Sequence, residues 1–348
     1  MKTKKTKIKF IAGTAVILFL GGLLFVYIAY KSIFIKSAGD HSKAVSLYIP
    51  NSADYEQLCD SLFAHNLISD TALFQRTAKA KSFTESFRPG HYRIPPGITM
   101  NRLINKIKGG RQDPVKVTFN NIRTVEELAG KIGRQLEADS AKFAKVFRDN
   151  ELLDSLDIAQ QYLLALIIPN TYEFYWDTSP RQFMIRMDKE HRAFWNHSRR
   201  KKAGSIGLTP LEVSTLASIV QEETNQISEM ARIAGVYINR LEKGMLLQAD
   251  PTLKRAINDW SIRRVLNRHK SVPSPYNTYL HKGLPPGPIS MPEPYVIEQV
   301  LNYEEHDYLF FSASAKRPGF HEFSRTHREH INSANKYRRQ LNQRRIYQ

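Results

Sequence analysis

TPLEVSTLASIVQEET, residues Thr209–Thr224, is the stretch on which the reading of the fold and its chemistry turns. Thr209-Pro210-Leu211-Glu212 has the pattern of a capping box with proline at the first helical position, a strong helix start. At about 100° per residue with Leu216 at zero, Ile219 falls near −60°, Val220 near +40° and Glu223 near −20°. Glu223 therefore lies in the middle of the apolar stripe, with Glu222 near −120° and Gln221 near +140° on the polar side. Glu212 also falls on the stripe, but the capping box accounts for it.

A carboxyl on a core-facing stripe is costly to ionise, and the negative end of the helix dipole adds to that cost in the last turn. Glu223 can thus keep its proton well above the ordinary range, as a general acid near neutral pH must. The alternatives are a carboxylate paired with a core arginine, such as Arg232 or Arg240, and a helix end that emerges into solvent.

Downstream, Ser228 to Lys243 reads as a second amphipathic helix closed by Gly244, and Asp250-Pro251 as the start of another. Tyr276-Asn277-Thr278-Tyr279 and Gly283 to Pro288 form a proline-rich loop of amides, hydroxyls and aromatic faces. Such a loop suits a sugar, whose hydroxyls need fixed partners and whose ring faces pack on aromatics; it is equally consistent with an ordered turn.

Upstream, Leu47 to Phe74 reads as strand, turn and two helices. A similar layout recurs from Val117 to Phe143, with Leu58 matching Leu128 and Leu62 matching Ile132. Either two modules share one plan or two βα units merely look alike. Arg88 to Gly110 reads as strand, turn and amphipathic helix, and the Gly-Gly-Arg-Gln-Asp-Pro stretch after it is the best domain boundary. From Pro114 helices and short strands follow no βαβ rhythm, so the fold class expected is α+β.

The amino-terminal end carries a different signal. Phe10 to Tyr30 is an uncharged run long enough to span about 30 Å of hydrocarbon as one transmembrane helix. A signal peptide has a shorter apolar run, roughly 7–15 residues, and the only cleavage candidate here is Ser37-Ala38-Gly39. An uncleaved anchor is expected, and five lysines before it against two after place residues 1–9 in the cytoplasm. The chain has 51 Lys and Arg against 33 Asp and Glu, a formal charge of +18 over 348 residues, and the lysines flanking the anchor supply part of it. The rest of the basic surface favours encounter with an anionic polymer.

Hydrophobic residues at 42% exclude a disordered chain, and the single cysteine, Cys59, excludes a disulfide framework or a Cys-rich metal site. No Walker loop, Gly-x-Ser-x-Gly elbow or dinucleotide turn is present. His321, His327 and His330 lack a companion ligand at metal spacing, so no metal and no cofactor are expected. The basic runs Arg199 to Lys202, Arg263-Arg264 and Arg338 to Arg345 carry no nucleic-acid motif and read as solvated faces, so no nucleic-acid partner is expected.

LASIVQEET (Leu216–Thr224), RIAGVYINRLEKGMLLQADPT (Arg232–Thr252), YNTYLHKGLPPGPIS (Tyr276–Ser290) and HEFSRTHREH (His321–His330), in this order, closely resemble the YceG-like endolytic murein transglycosylases. YIPNSADYEQLCDSLFAHNLI and GHYRIPPGITMNRLINKIKGG resemble that family's LysM-like module, and LIIPNTYEFYWDTSP its Pro-Asp-Thr-Tyr motif. The resemblance implies a cytoplasmic tail (1–9), a transmembrane helix (10–30), a small LysM-like α/β module (45–110) and a YceG-like catalytic domain (114–345). The family's helix usually ends Glu-Lys-Glu-Thr with the second glutamate catalytic, which falls on Glu223. Gln221 replaces the first glutamate and Asn170 stands where an aspartate is frequent, so neither carries a carboxylate role here.

The resemblance further implies an inner-membrane enzyme with its catalytic domain in the periplasm. It would cut nascent peptidoglycan glycan strands at the MurNAc-GlcNAc β-1,4 bond, leave 1,6-anhydro-MurNAc ends and so terminate elongation beside peptidoglycan synthases. Asn239, Gln248, Tyr276, Asn277, Tyr279 and His321 lie in the matching motifs and would hold the sugars. The alternative is a membrane-tethered peptidoglycan-binding protein with no catalysis.

Overall fold

The computed structural model describes residues 2–262 and 265–343; Met1, Arg263, Arg264, Arg344 and Arg345, which belong to the tail and basic runs named above, lie outside them. The architecture is mixed α+β. An amino-terminal helix, Lys2–Phe34, is followed by helices and three two-stranded sheets. Its segment Ala12–Phe34 is the part long and apolar enough to cross a membrane, and none of it is buried within the protein.

The chain divides into two compact units. The first comprises residues 1–116 with 135–137 and 173–178; the second comprises 117–134, 138–172 and 179–348. In the first unit, strand β1 (Val45–Ile49) pairs antiparallel with β2 (Gly90–Ile94), Leu47 opposite Tyr92. Helices Tyr55–Ala64, Thr71–Ala80 and Met100–Lys108 begin at Asp54, Asp70 and Thr99, each accepting a backbone N–H with its side chain. Leu58, Leu62, Phe74, Leu103, Ile104 and Ile107 close over the sheet as one apolar core.

The repeated layout is real at the level of local structure. β3 (Val115–Phe119), helix Val125–Gly133 and helix Ser140–Val146 follow the same strand-helix-helix order, and Leu128 and Ile132 are as buried as Leu58 and Leu62. The likeness continues past Phe143, where the sequence match ends. β4 (Asn170–Phe174) pairs with β3, and its Tyr172 occupies the third strand position, as Tyr92 does in β2. Both hydroxyls donate 2.8 Å bonds to the carbonyl four residues upstream, of Arg88 and of Ile168.

The second unit is organised around the helix Pro210–Glu223. Thr209 and Glu212 exchange capping-box bonds, as the sequence reading requires. The amphipathic picture does not hold, however: every residue from Val213 to Val220 is buried, so the helix has no solvent face along its middle turns. Its polar residues are satisfied internally. Ser214 and Thr215 donate to the carbonyls of Pro210 and Leu211, and Ser218 donates to Thr215 and accepts the N–H of Ile289. Helices Ile227–Glu242 and Pro294–Leu301 pack on it and share its core.

The second helix of this region starts at Ile227 and ends at Glu242, with Gly244 at φ +61°, one of the positions where a left-handed backbone calls for glycine. The third starts at Asp250, with Ala249 at its N-cap position and no side-chain cap bond. β5 (Phe310–Ala313) and β6 (His321–Ser324) pair antiparallel, and Tyr276 to Pro288 contains no regular element. Leu216 is fully buried at the centre of the core. Leu216→Ala is expected to cost about 2–5 kcal/mol of unfolding free energy, measured by denaturant titration.

Candidate active site

Three consecutive side chains at the end of the buried helix are each fixed by a different partner. Gln221 clamps the segment before helix Pro294–Leu301: its Nε2 donates to the Met291 carbonyl at 3.2 Å and its Oε1 accepts the Glu293 N–H at 2.7 Å. Glu222 accepts two bonds from Arg123, at 3.4 Å to Nε and 3.1 Å to a terminal nitrogen. Arg123 also lies over the Trp260 ring at 4.7 Å. Glu223 accepts a 2.6 Å bond from the Tyr237 hydroxyl.

Neither candidate arginine neutralises Glu223. Arg232 pairs with Glu304, and Arg240 directs its guanidinium at the carbonyls of Leu309, Leu246 and Leu247. Burial pushes the Glu223 carboxyl up to about 7; the Tyr237 hydrogen bond pulls it back, Asp250 adds to the rise, and Lys254 and Arg240 oppose it. Tyr237 itself is driven well above its ordinary value, first by burial and then by the Glu223 charge. Its hydroxyl therefore remains a donor throughout the neutral range.

Glu223 lines a cavity of about 1130 Å³, a size suited to an extended ligand. Its walls are predominantly polar: Asn120, Asn121, Arg123 and Glu222 contribute, and Glu293, Tyr295 and His321 add a carboxyl, a phenol and an imidazole. Burial also raises the Glu293 carboxyl, an effect opposed by the N–H of Asn121 at 3.3 Å. Burial therefore helps both Glu223 and Glu293 to retain a proton, while Glu222 is engaged by Arg123.

Of the expected sugar-holding residues, His321 shares the cavity with Glu223. Gln248, Tyr276, Asn277 and Tyr279 do not line the cavity. Tyr279 donates to Asp250 at 2.5 Å, and the exposed Gln248, at φ +51°, gives its backbone N–H to the Thr278 carbonyl. Asn277 is fully buried: its amide donates to Lys270 and Val272 carbonyls and accepts the Tyr279 N–H. Tyr276 packs on the core with Arg255 over its ring at 5.1 Å. Asn239 is also away from the cavity and donates to the carbonyls of His306 and Tyr308. The amides of Asn239 and Asn277 thus fasten the backbone.

His327 and His330 pack against Phe310, with His330 stacked at 5.4 Å. Tyr237, Arg123, Glu229 and Glu293 were not singled out from the sequence as site residues. Tyr237 reads there as one more apolar-stripe residue, and Arg123 and Glu229 meet their partners 99 and 92 residues away.

A protonatable carboxyl held near neutrality on the wall of a large polar cavity is the arrangement of a general-acid site. Residues 47–336 match the YceG-like family, and the chain belongs to that family. It is 27% identical over 337 residues to the endolytic murein transglycosylase of Bacillus subtilis (strain 168), spanning 92% of this chain and 91% of that protein. The endolytic murein transglycosylase of Streptococcus pneumoniae (strain D39) is 26% identical over 332 residues, 84% of this chain but only 59% of that protein. The crystal structure of a YceG-like protein from Listeria monocytogenes superposes with a TM-score of 0.57 at 26% identity, covering 84% of this chain and 99% of that one.

Since folded Glu223 keeps its proton to about 7 and an unfolded glutamate loses it near 4.5, the unfolded chain binds fewer protons between these values. Its contribution to stability therefore falls as pH rises through that window. Glu223→Gln is expected to stabilise the protein by about 1–3 kcal/mol at pH 8 and by little at pH 4, read from unfolding curves at both.

Proposed function

We propose that this protein is an endolytic peptidoglycan lytic transglycosylase, with Glu223 as its acid and base. The observation that carries the reading is the protonatable Glu223 carboxyl in the polar cavity of a YceG-like domain whose curated relatives bear that activity in their names. The non-catalytic binding protein would have no use for a carboxyl held at that threshold.

In the proposed reaction the glycan strand lies along the cavity with a MurNAc-GlcNAc bond beside Glu223. Glu223 donates its proton to the glycosidic oxygen, the C1–O4 bond breaks, and an oxocarbenium-like centre develops at C1 of the muramic residue. The muramic 6-hydroxyl then attacks C1, and the Glu223 carboxylate takes the hydroxyl proton. A 1,6-anhydro end results without water, and Glu223 regains its proton. Tyr237 supports the intermediate carboxylate through its 2.6 Å bond, while the carboxylate of Glu222 is held by Arg123.

The amino-terminal helix would anchor the enzyme in the inner membrane with residues 1–9 in the cytoplasm and the catalytic domain, residues 114–345, in the periplasm. Residues 45–110 would act as a LysM-like glycan-binding module. Cutting close to the membrane would end the growth of nascent strands beside peptidoglycan synthases. His321 would contact the strand in the cavity, and the Tyr279 hydroxyl would hold Asp250 at the start of its helix.

Digestion of uncrosslinked glycan strands by the full-length protein in detergent, followed by mass spectrometry, tests this reading. Internal cuts with 1,6-anhydro ends are expected; reducing ends would make the protein a hydrolase, and intact strands would remove the activity. Glu223→Gln is expected to lower the rate by about 10²–10⁴-fold, the usual contribution of a general acid, whereas Glu222→Gln and Glu293→Gln should stay within about tenfold. The rate should fall as pH rises through about 7, where Glu223 loses its proton.

A further inference from the structure

Glu229 is a buried carboxylate that the proposed proton transfers do not use. It is 5% exposed, on the helix Ile227–Glu242, and both its oxygens accept the backbone N–H of His321, at 3.0 and 3.2 Å. Its Oε2 also lies 3.1 Å from His321 Nδ1. The nearby Arg232 is taken by Glu304, and these contacts to His321 are the Glu229 side chain's hydrogen bonds among the described residues. Burying a carboxylate is expensive, and here all of its acceptor capacity is directed at a single residue of the cavity wall.

The geometry determines what that residue presents. A carboxylate can only accept, so in the neutral imidazole the ring proton sits on Nδ1 and Nε2 carries a lone pair. Nε2 has no hydrogen-bond partner among the described residues, and His321 lines the cavity that holds Glu223. The ring is steadied from the side by Phe311, edge-on at 5.3 Å, and from the backbone by the pairing of His321 with Ala313. The ring's orientation is thus set before any ligand arrives, and its contact with Glu229 favours the Nδ1–H tautomer.

We propose that Glu229 is a positioning residue: it selects the Nδ1–H tautomer of the His321 imidazole so that Nε2 accepts a hydrogen bond from a hydroxyl of the sugar seated beside Glu223. This rests on the glycan-cleaving reading for the identity of the ligand, but the tautomer does not. A substrate rich in hydroxyl donors is matched by an acceptor that needs no reorganisation on binding. A glutamine in place of Glu229 keeps the shape but offers an amide that can donate to Nδ1, which moves the ring proton to Nε2 and turns the acceptor into a donor.

The test uses full-length protein labelled with ¹⁵N-histidine in nanodiscs at pH 7.5. Long-range ¹H–¹⁵N spectra, with His321 assigned by its loss in His321→Gln, should show a protonated Nδ1 and an unprotonated Nε2. Glu229→Gln should shift the pattern toward Nε2–H and lower kcat/KM on glycan strands by about 10–100-fold, the range seen for residues that orient a metal-binding histidine. The double variant should be no worse than His321→Gln alone, since Glu229 acts through His321. A wild-type His321 with Nε2 protonated, additive losses in the double variant, or full activity of Glu229→Gln would each overturn the proposal. Because the wild-type spectrum needs no variant at position 229 and no turnover, it stands even if Glu229→Gln fails to fold. Inactivity of the wild type on glycan would instead sink the functional reading while leaving the tautomer result intact.

Discussion

The hydrogen bond from Tyr237 to Glu223 is the constraint around which the cavity end of the second unit is arranged. A carboxyl at the negative end of a helix, enclosed by protein and without a cationic partner, is tolerated because it can remain protonated and because one fixed donor meets it when it ionises. The surrounding structure preserves this balance. Arg123 occupies the adjacent Glu222, Arg240 is tied to three carbonyls, and Arg232 is tied to Glu304. Any of these cations in direct contact with Glu223 would stabilise its charge and remove its proton at neutral pH. Gln221 completes the arrangement as an uncharged clamp on Met291 and Glu293, holding that stretch of the cavity wall to the helix end.

The desolvated position of Glu223 was legible in the sequence, although for a reason that the fold only half supports. The stripe argument assumes a helix with a polar face, and Pro210–Glu223 has none along its middle turns. Ser214, Thr215 and Ser218 read as polar, yet their hydroxyls bond within the helix or to Ile289, so they can be buried as readily as alanine. What marks Glu223 is its place in the last turn, where the helix leaves the core and meets the cavity. The capping box, the α+β class and the apolar amino-terminal helix were legible because each depends on residues close in sequence. The partners were not: Arg123 reaches Glu222 across 99 residues and Glu229 reaches His321 across 92, and no local pattern encodes either meeting.

The asparagines show the same limit from the other side. Asn239 and Asn277 sit in the motifs that carry the family resemblance and have the chemistry of sugar ligands, but both amides are taken up by backbone carbonyls. An amide that can donate and accept at once is as useful for fastening an irregular loop as for gripping a hydroxyl. Sequence alone offers no means of telling the two apart. In a chain with a long stretch lacking regular elements, from Ser271 to Glu293, the fastening role has a clear physical need, since loop carbonyls have no ladder to satisfy them.

The shared strand-helix-helix-strand order bears on a departure that would otherwise look functional. Pro89-Gly90-His91-Tyr92 and Pro169-Asn170-Thr171-Tyr172 open equivalent strands, and in each the tyrosine hydroxyl bonds the carbonyl four residues back, closing the turn into the strand. The extra helices Asn150–Ser155 and Leu163–Leu166 lengthen the second copy, so its closing strand falls out of step with the first and hides the likeness in the sequence. Asn170 stands at the start of that strand, where its Oδ1 accepts the N–H of Thr171 at 2.8 Å. An amide oxygen makes this bond as an aspartate oxygen would, and the equivalent position in the first copy is Gly90, which has no side chain to offer. The position therefore serves the entry into a strand, a role that an amide oxygen fills as well as a carboxylate oxygen would.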